Sequence, residues 1–352
     1  MLSLLALNLS HLGRRSRMTT IPKRLNDTVA LIDRAHESKL EQPRAHLGCS
    51  GLGHHCDRYI WLSFRWAVIE KFSGRMLRLF RRGQLEEEQI ITDLRLAGIS
   101  IGGDQMRVDF GCHVSGSVDG IIKSGVPEAT NTRHVAEFKT HSLKSFKALV
   151  KDGVVKSKPM HYAQMQLYMW GLGLDRALYV AVCKNDDTYY TARFELDREY
   201  AQKLVEKGHK LALADRIPSK ISDNPSWYQC KMCSYSDFCH YSKTTKEINC
   251  RTCAHSTAKD DSTFYCEKYQ DTIPYEHQVK GCDAHVLHPD MVPWELVAGQ
   301  GSKYVAAYRV DDDVVLNGEG HFKSRELIAN AQACTMPDLI KAREIFDGEI
   351  VG

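Results

Sequence analysis

Residues 116–140 read Gly116-Ser117-Val118-Asp119-Gly120-Ile121-Ile122, then a polar loop, then His134-Val135-Ala136-Glu137-Phe138-Lys139-Thr140. Val118, Ile121, Ile122, Val135 and Phe138 favour strands, and the Gly, Pro, Asn and Thr between them favour a turn. The stretch therefore predicts two strands, the first over 116–123. Side chains two apart on a strand share a face. Glu137 and Lys139 then point one way and Phe138 the other. If the strands pair, Asp119 comes beside Glu137, and two carboxylates meet one ammonium on a sheet.

Those groups suit metal-assisted hydrolysis of a phosphodiester. Carboxylates are hard oxygen donors for Mg²⁺ or Mn²⁺. A lysine beside them can orient water and offset developing negative charge. The plain alternative is an ion pair between neighbouring strands, since Glu-x-Lys is a common tripeptide. The rest of the chain favours the chemistry.

Working outward, capping residues and an amphipathic pattern predict a helix over 26–40, and a turn-rich segment leads to a second over 54–71. A third is expected over 75–97, interrupted around Gly83. It carries Glu86, Glu87 and Glu88, which face three directions, so Glu86 and Glu88 are expected to be solvated. Another strand is expected over 107–115. After the Glu137/Lys139 strand come helices over 142–151 and 159–173. Gln164 and Tyr168, spaced i and i+4, share a face of the latter. Strands at 177–184 and 188–196 and a helix at 197–215 close this part.

The chain has 352 residues, enough for a full catalytic core with small appendages. A net charge of +3 does not announce a nucleic-acid binder. Lysines 139, 144, 147, 151, 156 and 158 nevertheless follow the proposed site directly, where a DNA backbone would lie. No stretch is long enough to span a membrane. No Gly-Lys-Ser/Thr phosphate loop occurs. Residues 1–25 carry an apolar run followed by arginines, the reverse of a secretory signal, and are expected to be disordered, with Met18 the true start.

Twelve cysteines, many in close pairs, point to a reducing compartment and metal-bound thiolates. Cys230, Cys233 and Cys239 form C-x2-C-x5-C, one short of a tetrahedral set, and Cys56 or Cys49 could supply the fourth. Zinc and an iron–sulfur cluster both suit four cysteines. Cys250, Cys253, Cys266 and Cys282, with His255 and His285 nearby, form a second set that reads as a structural zinc module. Its segment has few large apolar residues, so a metal is expected to add stability. Domain boundaries are expected at 26–245 (core with first cysteine cluster), 246–292 (zinc module) and 293–352, a small α+β appendage with a hairpin at 303–316 and helices at 324–333 and 336–346.

Gly83-x-x-x-Glu87, Asp119, Glu137-x-Lys139 and Gln164-x-x-x-Tyr168 together resemble the PD-(D/E)XK nuclease superfamily. With Cys56 ahead and Cys230, Cys233 and Cys239 behind, residues 44–240 are similar to its iron–sulfur branch, the CRISPR-associated and RecB-like or AddB-like exonucleases. The resemblance implies a mixed α/β sheet flanked by helices. It implies Glu87, Asp119 and Glu137 as ligands of Mg²⁺ or Mn²⁺, Lys139 as the catalytic lysine, and Gln164 and Tyr168 as catalytic-motif residues. It further implies a 4Fe–4S cluster on Cys56, Cys230, Cys233 and Cys239. Relatives in that branch often have His where Glu87 stands; Glu is more like the phage recombination exonucleases. The expected function is a DNA exonuclease, phage-encoded, acting in recombination, repair or processing in the bacterial cytoplasm. Its expected partners are single-stranded or duplex DNA ends and a single-strand annealing or other recombination protein. The rivals are an endonuclease or flap nuclease of the same fold and a DNA-binding protein without catalysis.

Overall fold

A computed structural model describes residues 27–39, 42–102 and 106–351. The expectation for residues 1–25 lies outside them. Six helices of the core are α1 (Thr28–Glu37), α2 (Asp57–Phe64), α3 (Gly74–Leu96), α4 (Leu143–Ser157), α5 (Pro159–Leu172) and α6 (Arg198–Ala212). The central sheet contains β1 (Ser100–Gly102), β2 (Gly120–Ser124), β3 (His134–His141), β4 (Arg176–Cys183) and β5 (Tyr189–Glu195), in spatial order β1-β2-β3-β4-β5. β3 and β4 run parallel; the other pairs are antiparallel. A parallel pair needs a long crossover, and α4 and α5 supply it.

β4 is apolar on both faces, as a buried central strand must be, whereas β3 is buried but carries Glu137, Lys139 and His141 on one face. Ala136 and Phe138 of β3 pack with Ile90 of α3 and with Val180 and Val182 of β4. Val135 on the opposite face joins Phe146, Leu149, Ala163 and Leu167 from α4 and α5. The sheet is therefore a layer between α3 and the α4–α5 pair.

Several local expectations need correction. The strand expected over 107–115 is a hairpin, Arg107–Asp109 with Val114–Ser117, because Gly111, Cys112 and His113 take positive φ between them. The strand expected over 116–123 breaks at Val118–Asp119. Ser117 ends in a small sheet with Leu47–Gly48 and Arg107–Asp109, while Gly120 opens β2 in the central one. The interruption expected at Gly83 is absent, and α3 runs unbroken through it. One mid-helix glycine costs only about 1 kcal/mol, too little to break a helix capped at Ser73 and packed on a sheet.

α2 is shorter than expected. It ends at Phe64, and Trp66 takes φ +50° as the chain turns away. α4 runs further than expected, but Gly153 at φ +72° kinks it before the α5 start at Pro159.

Residues 246–292 pack into this core. Phe264 and Ile273 belong to the same apolar cluster as Leu149 and Val135. Arg251 is fully buried between the parts. It donates to the carbonyls of Phe64 (2.9 Å) and Ala45 (2.6 Å), and lies over the rings of Trp66 (3.8 Å) and Phe264 (4.3 Å). From Glu295 onward, a three-stranded sheet and helix Ser324–Asn330 pack around Tyr308, Val310, Val315 and Leu327, joined by Leu287 from the preceding segment, and helix Pro337–Phe346 follows with no buried residue. The expected hairpin is present as Val305–Val310 with Asp313–Gly318. Among the described residues no helix is long and apolar enough to cross a membrane.

Candidate active site

Asp119 sits where the chain leaves one sheet for the other. The Phe138 backbone N–H donates to its Oδ2 at 2.8 Å. Gly120 pairs with Ala136, so this contact locks Asp119 one residue ahead of the β2–β3 ladder. Glu137 and Lys139 share the opposite face of β3 from Phe138, as the period of a strand requires. Lys139 Nζ forms an ion pair with Glu137 Oε1 and lies 3.9 Å from Asp119 Oδ2. It also donates to the Phe138 carbonyl at 3.0 Å.

Glu137 is wholly buried, yet neither carboxylate oxygen has a well-aligned donor. Burial pushes its pKa up to about 8, against the pull of Lys139, and the Asp119 charge adds to the rise. Glu87 on α3 is held up to about 7 by burial and then by the Asp119 charge, with Lys139 opposing. Burial works against the Lys139 ammonium, but Glu137 and Asp119 outweigh it and raise its pKa. Glu87, Asp119, Glu137 and Lys139 thus act on one spot. Lys139 meets one Glu137 oxygen and the other is buried without a donor; carboxylate oxygens of this kind suit a hard divalent cation, although among the described residues no three of these side chains already form a metal cage. Glu86 is half-buried and Glu88 exposed, and neither enters the site.

Gln164 and Tyr168 are buried on α5, and Gln164 Nε2–H donates to Tyr168 Oη at 3.1 Å. Glu137, after burial itself, raises the Tyr168 pKa, so the pair faces the carboxylates. Gly116 lies beneath it. A Cβ there would come within 2.9 Å of the Tyr168 ring and 3.0 Å of Cys49 Sγ. Cys49 is therefore a buried wall of this site, its thiol pushed up to about 12 chiefly by burial.

Cys56, Cys230, Cys233 and Cys239 line one cavity with His54 and His240. Of the two cysteines considered for the fourth place, Cys56 lies there and Cys49 does not. Cys250, Cys253, Cys266 and Cys282 line a second cavity. Of its two histidines, His285 spends both ring nitrogens on Thr252 (3.1 Å) and Ser324 (2.8 Å), whereas the buried Nε2 of His255 has no partner. Among the described residues no three His, Cys, Asp or Glu side chains form a finished metal cage, so each set is a group of neighbours around a space.

The sequence reading missed a polar group on the same face. His141, two residues beyond Lys139, and His161, one turn ahead of Gln164, both contact Tyr179 Oη at 2.9 Å. Tyr179 is paired with Glu137 in the β3–β4 register. The period of two on β3 and the i, i+3 spacing on α5 were the available signals.

A family model described as the PD-(D/E)XK nuclease superfamily matches residues 8–240. The sequence matches no curated protein. Among solved structures, the chain is similar to one named SSO0001, at 14% identity and TM-score 0.37, covering 60% of this chain and 95% of that one. It is similar to an alkaline exonuclease from Laribacter hongkongensis, at 17% identity and TM-score 0.33, covering 52% and 90%. A phage-related exonuclease from Haemophilus somnus 129PT is matched at 20% identity and TM-score 0.27, covering 37% and 67%. Likenesses this loose decide nothing about activity. The family match covers most of the chain, and the chain belongs to the PD-(D/E)XK nuclease superfamily.

Proposed function

From that membership, we propose that the chain is a deoxyribonuclease dependent on Mg²⁺ or Mn²⁺, acting as an exonuclease on DNA ends. The observation that carries this is Glu137: a buried carboxylate without aligned donors, paired with Lys139 beside Asp119. Glu87, Asp119 and Glu137 would hold the cation. When bound, it would polarise the scissile phosphate and activate water. Lys139 holds a proton at Nζ, orients the attacking water and offsets charge as the phosphate accepts it. The Gln164–Tyr168 pair fixes the floor of the site and keeps water out on that side. α4 exposes Lys144, Lys147 and Lys151 beyond the site, a basic face suited to the DNA backbone.

The finer reading puts an iron–sulfur cluster on Cys56, Cys230, Cys233 and Cys239, with zinc as its alternative, and zinc on Cys250, Cys253, Cys266 and Cys282. Four cysteines around each cavity support it. A role in phage recombination, repair or processing, with a single-strand annealing protein as partner, rests on the motif resemblance alone.

The test is cleavage of end-labelled DNA by the anaerobically purified protein with Mg²⁺ or Mn²⁺. Mononucleotide release by the wild type and none by Lys139→Ala supports the exonuclease. Cleavage of closed circular DNA would replace it with an endonuclease. Equal activity in Lys139→Ala would overturn the catalytic assignment. A broad band near ~400 nm with iron in the metal analysis supports the cluster; zinc alone removes it.

A further inference from the structure

The histidine–tyrosine group beside the site is part of a longer chain of hydrogen bonds with a direction. Lys158 Nζ has only protons to give, and gives one to Ser145 Oγ at 2.7 Å. That contact turns the serine's own proton to His141 Nδ1, 3.2 Å away. His141 then carries its proton on Nε2 and donates it to Tyr179 Oη at 2.9 Å. The Tyr179 hydroxyl donates onward to His161 Nδ1, also at 2.9 Å. Each bond polarises the next in a buried setting. The cation at Lys158 therefore leaves His161 with its proton on Nε2, at the far end.

Position gives this end a use. Tyr179 is fully buried, but His161 keeps part of its surface open. His161, Gln164 and Tyr168 share one face of α5 by helical spacing. His141 stands two residues past Lys139 on the same face of β3, about 7 Å along the strand. Its ring stacks near that of His161, centroids 5.8 Å apart. The group thus extends the catalytic face by about one further residue pair. The Lys139 charge is felt at His161, second only to burial in holding that imidazole neutral, down to about 3. A neutral ring with a fixed N–H is a donor that holds its form across the working pH range.

We propose that His161 Nε2–H is a fixed donor to a non-bridging phosphate oxygen of the DNA strand next to the scissile phosphate, aimed by the Lys158–Ser145–His141–Tyr179 chain. His161 is then a strand-positioning residue. It touches substrate and takes no part in proton transfer. The inference rests on the nuclease reading above and deepens it.

The test compares wild type, His161→Ala, His161→Gln and Tyr179→Phe. Steady-state kinetics on labelled DNA give kcat and KM. Fluorescence anisotropy in a Lys139→Ala background gives DNA affinity without cleavage. A contact held equally before and during reaction moves KM and Kd but not kcat. His161→Ala is expected to raise both by about tenfold, the scale of one hydrogen bond to a charged group. His161→Gln, which keeps an N–H at similar reach, should recover most of the loss. Tyr179→Phe should give a smaller rise that adds nothing on top of His161→Ala. A loss confined to strands with a 5′-phosphate marks a terminal phosphate; a loss shared by 5′-hydroxyl strands marks an internal one, and both support the proposal. Wild-type KM and Kd in His161→Ala, or a Gln variant no better than Ala, overturns it. If the wild type cuts DNA and the His161 variants bind and cut it equally well, this inference alone fails. If the wild type neither binds nor cuts DNA, the nuclease reading fails with it.

Discussion

Glu137, the proposed metal-binding carboxylate, works against the fold that holds it. Burial raises its pKa to about 8 and that of Glu87 to about 7, each well above the ordinary carboxylate range. For a group raised on folding, the stability it lends is fully present below the unfolded value and lost as pH rises through the folded one. Without a cation, the protein should therefore lose stability between about pH 5 and pH 8. Glu137→Gln should remove part of that slope, raise Tm at pH 8 in the presence of a chelator, and abolish cleavage. Differential scanning calorimetry of both proteins at pH 5 and pH 8 checks this; parallel Tm curves would contradict it. Cation binding must displace the same protons, so apparent Mn²⁺ affinity should climb from pH 6 to pH 8 with proton release. Calorimetric titration in buffers of different ionisation enthalpy reads that directly. Lys139→Ala should cut kcat by about a hundredfold or more while leaving Tm within a few degrees. The lysine sits partly exposed at the rim of the core, and single-turnover cleavage measures its loss.

At the scale of elements, β3 lets one short strand serve two purposes. Its even positions build the core against α3, and its odd positions Glu137, Lys139 and His141 line the site. The break at Asp119 matters as much, because a strand continuing unbroken into β2 would carry that carboxylate out of reach of the Phe138 N–H. Gly116, just before the break, lets the Tyr168 ring lie directly on the backbone. Gly116→Ala should cost about 1–3 kcal/mol, since a Cβ must displace a ring held on a packed helix. It should also lower kcat, because Tyr168 and Gln164 move together through their hydrogen bond. Urea unfolding and steady-state kinetics test the two halves separately. A neutral result in both would mean that the helix α5 yields more easily than its burial suggests.

At the scale of the molecule, Arg251 joins the cysteine-rich segment to the core. It has no carboxylate partner among its contacts; backbone carbonyls, the Gln278 amide oxygen and aromatic faces carry its charge, and burial lowers its pKa to about 9. Arg251→Ala should destabilise by at least about 3 kcal/mol, because it leaves buried carbonyls unpaired and opens a cavity between the rings of Trp66, Phe264 and Phe64. Arg251→Lys should recover little, since an ammonium cannot lie flat between Trp66 and Phe264 and reach both carbonyls. Thermal melts rank the three proteins, and equal melting of Lys and Arg forms would refute the stacking argument.

The linear sequence by itself determined what depends on spacing. The alternation across Glu137-Phe138-Lys139 set the faces of β3, Pro159 and the apolar run set α5, and the i, i+4 interval brought Gln164 onto Tyr168. The C-x2-C spacing likewise put Cys230 beside Cys233 and Cys250 beside Cys253, each pair on the wall of one cavity. What spacing cannot express was decided only by the tertiary structure. The turn at Gly111–His113, the strand break at Asp119 and the placing of Cys56, not Cys49, beside Cys230 depend on how distant segments pack. The hydrogen-bond chain from Lys158 to His161 links three separate elements around a tyrosine from a fourth. Such groups share no period in the sequence, because the contacts that align them form only when β3, β4, α4 and α5 close around one core.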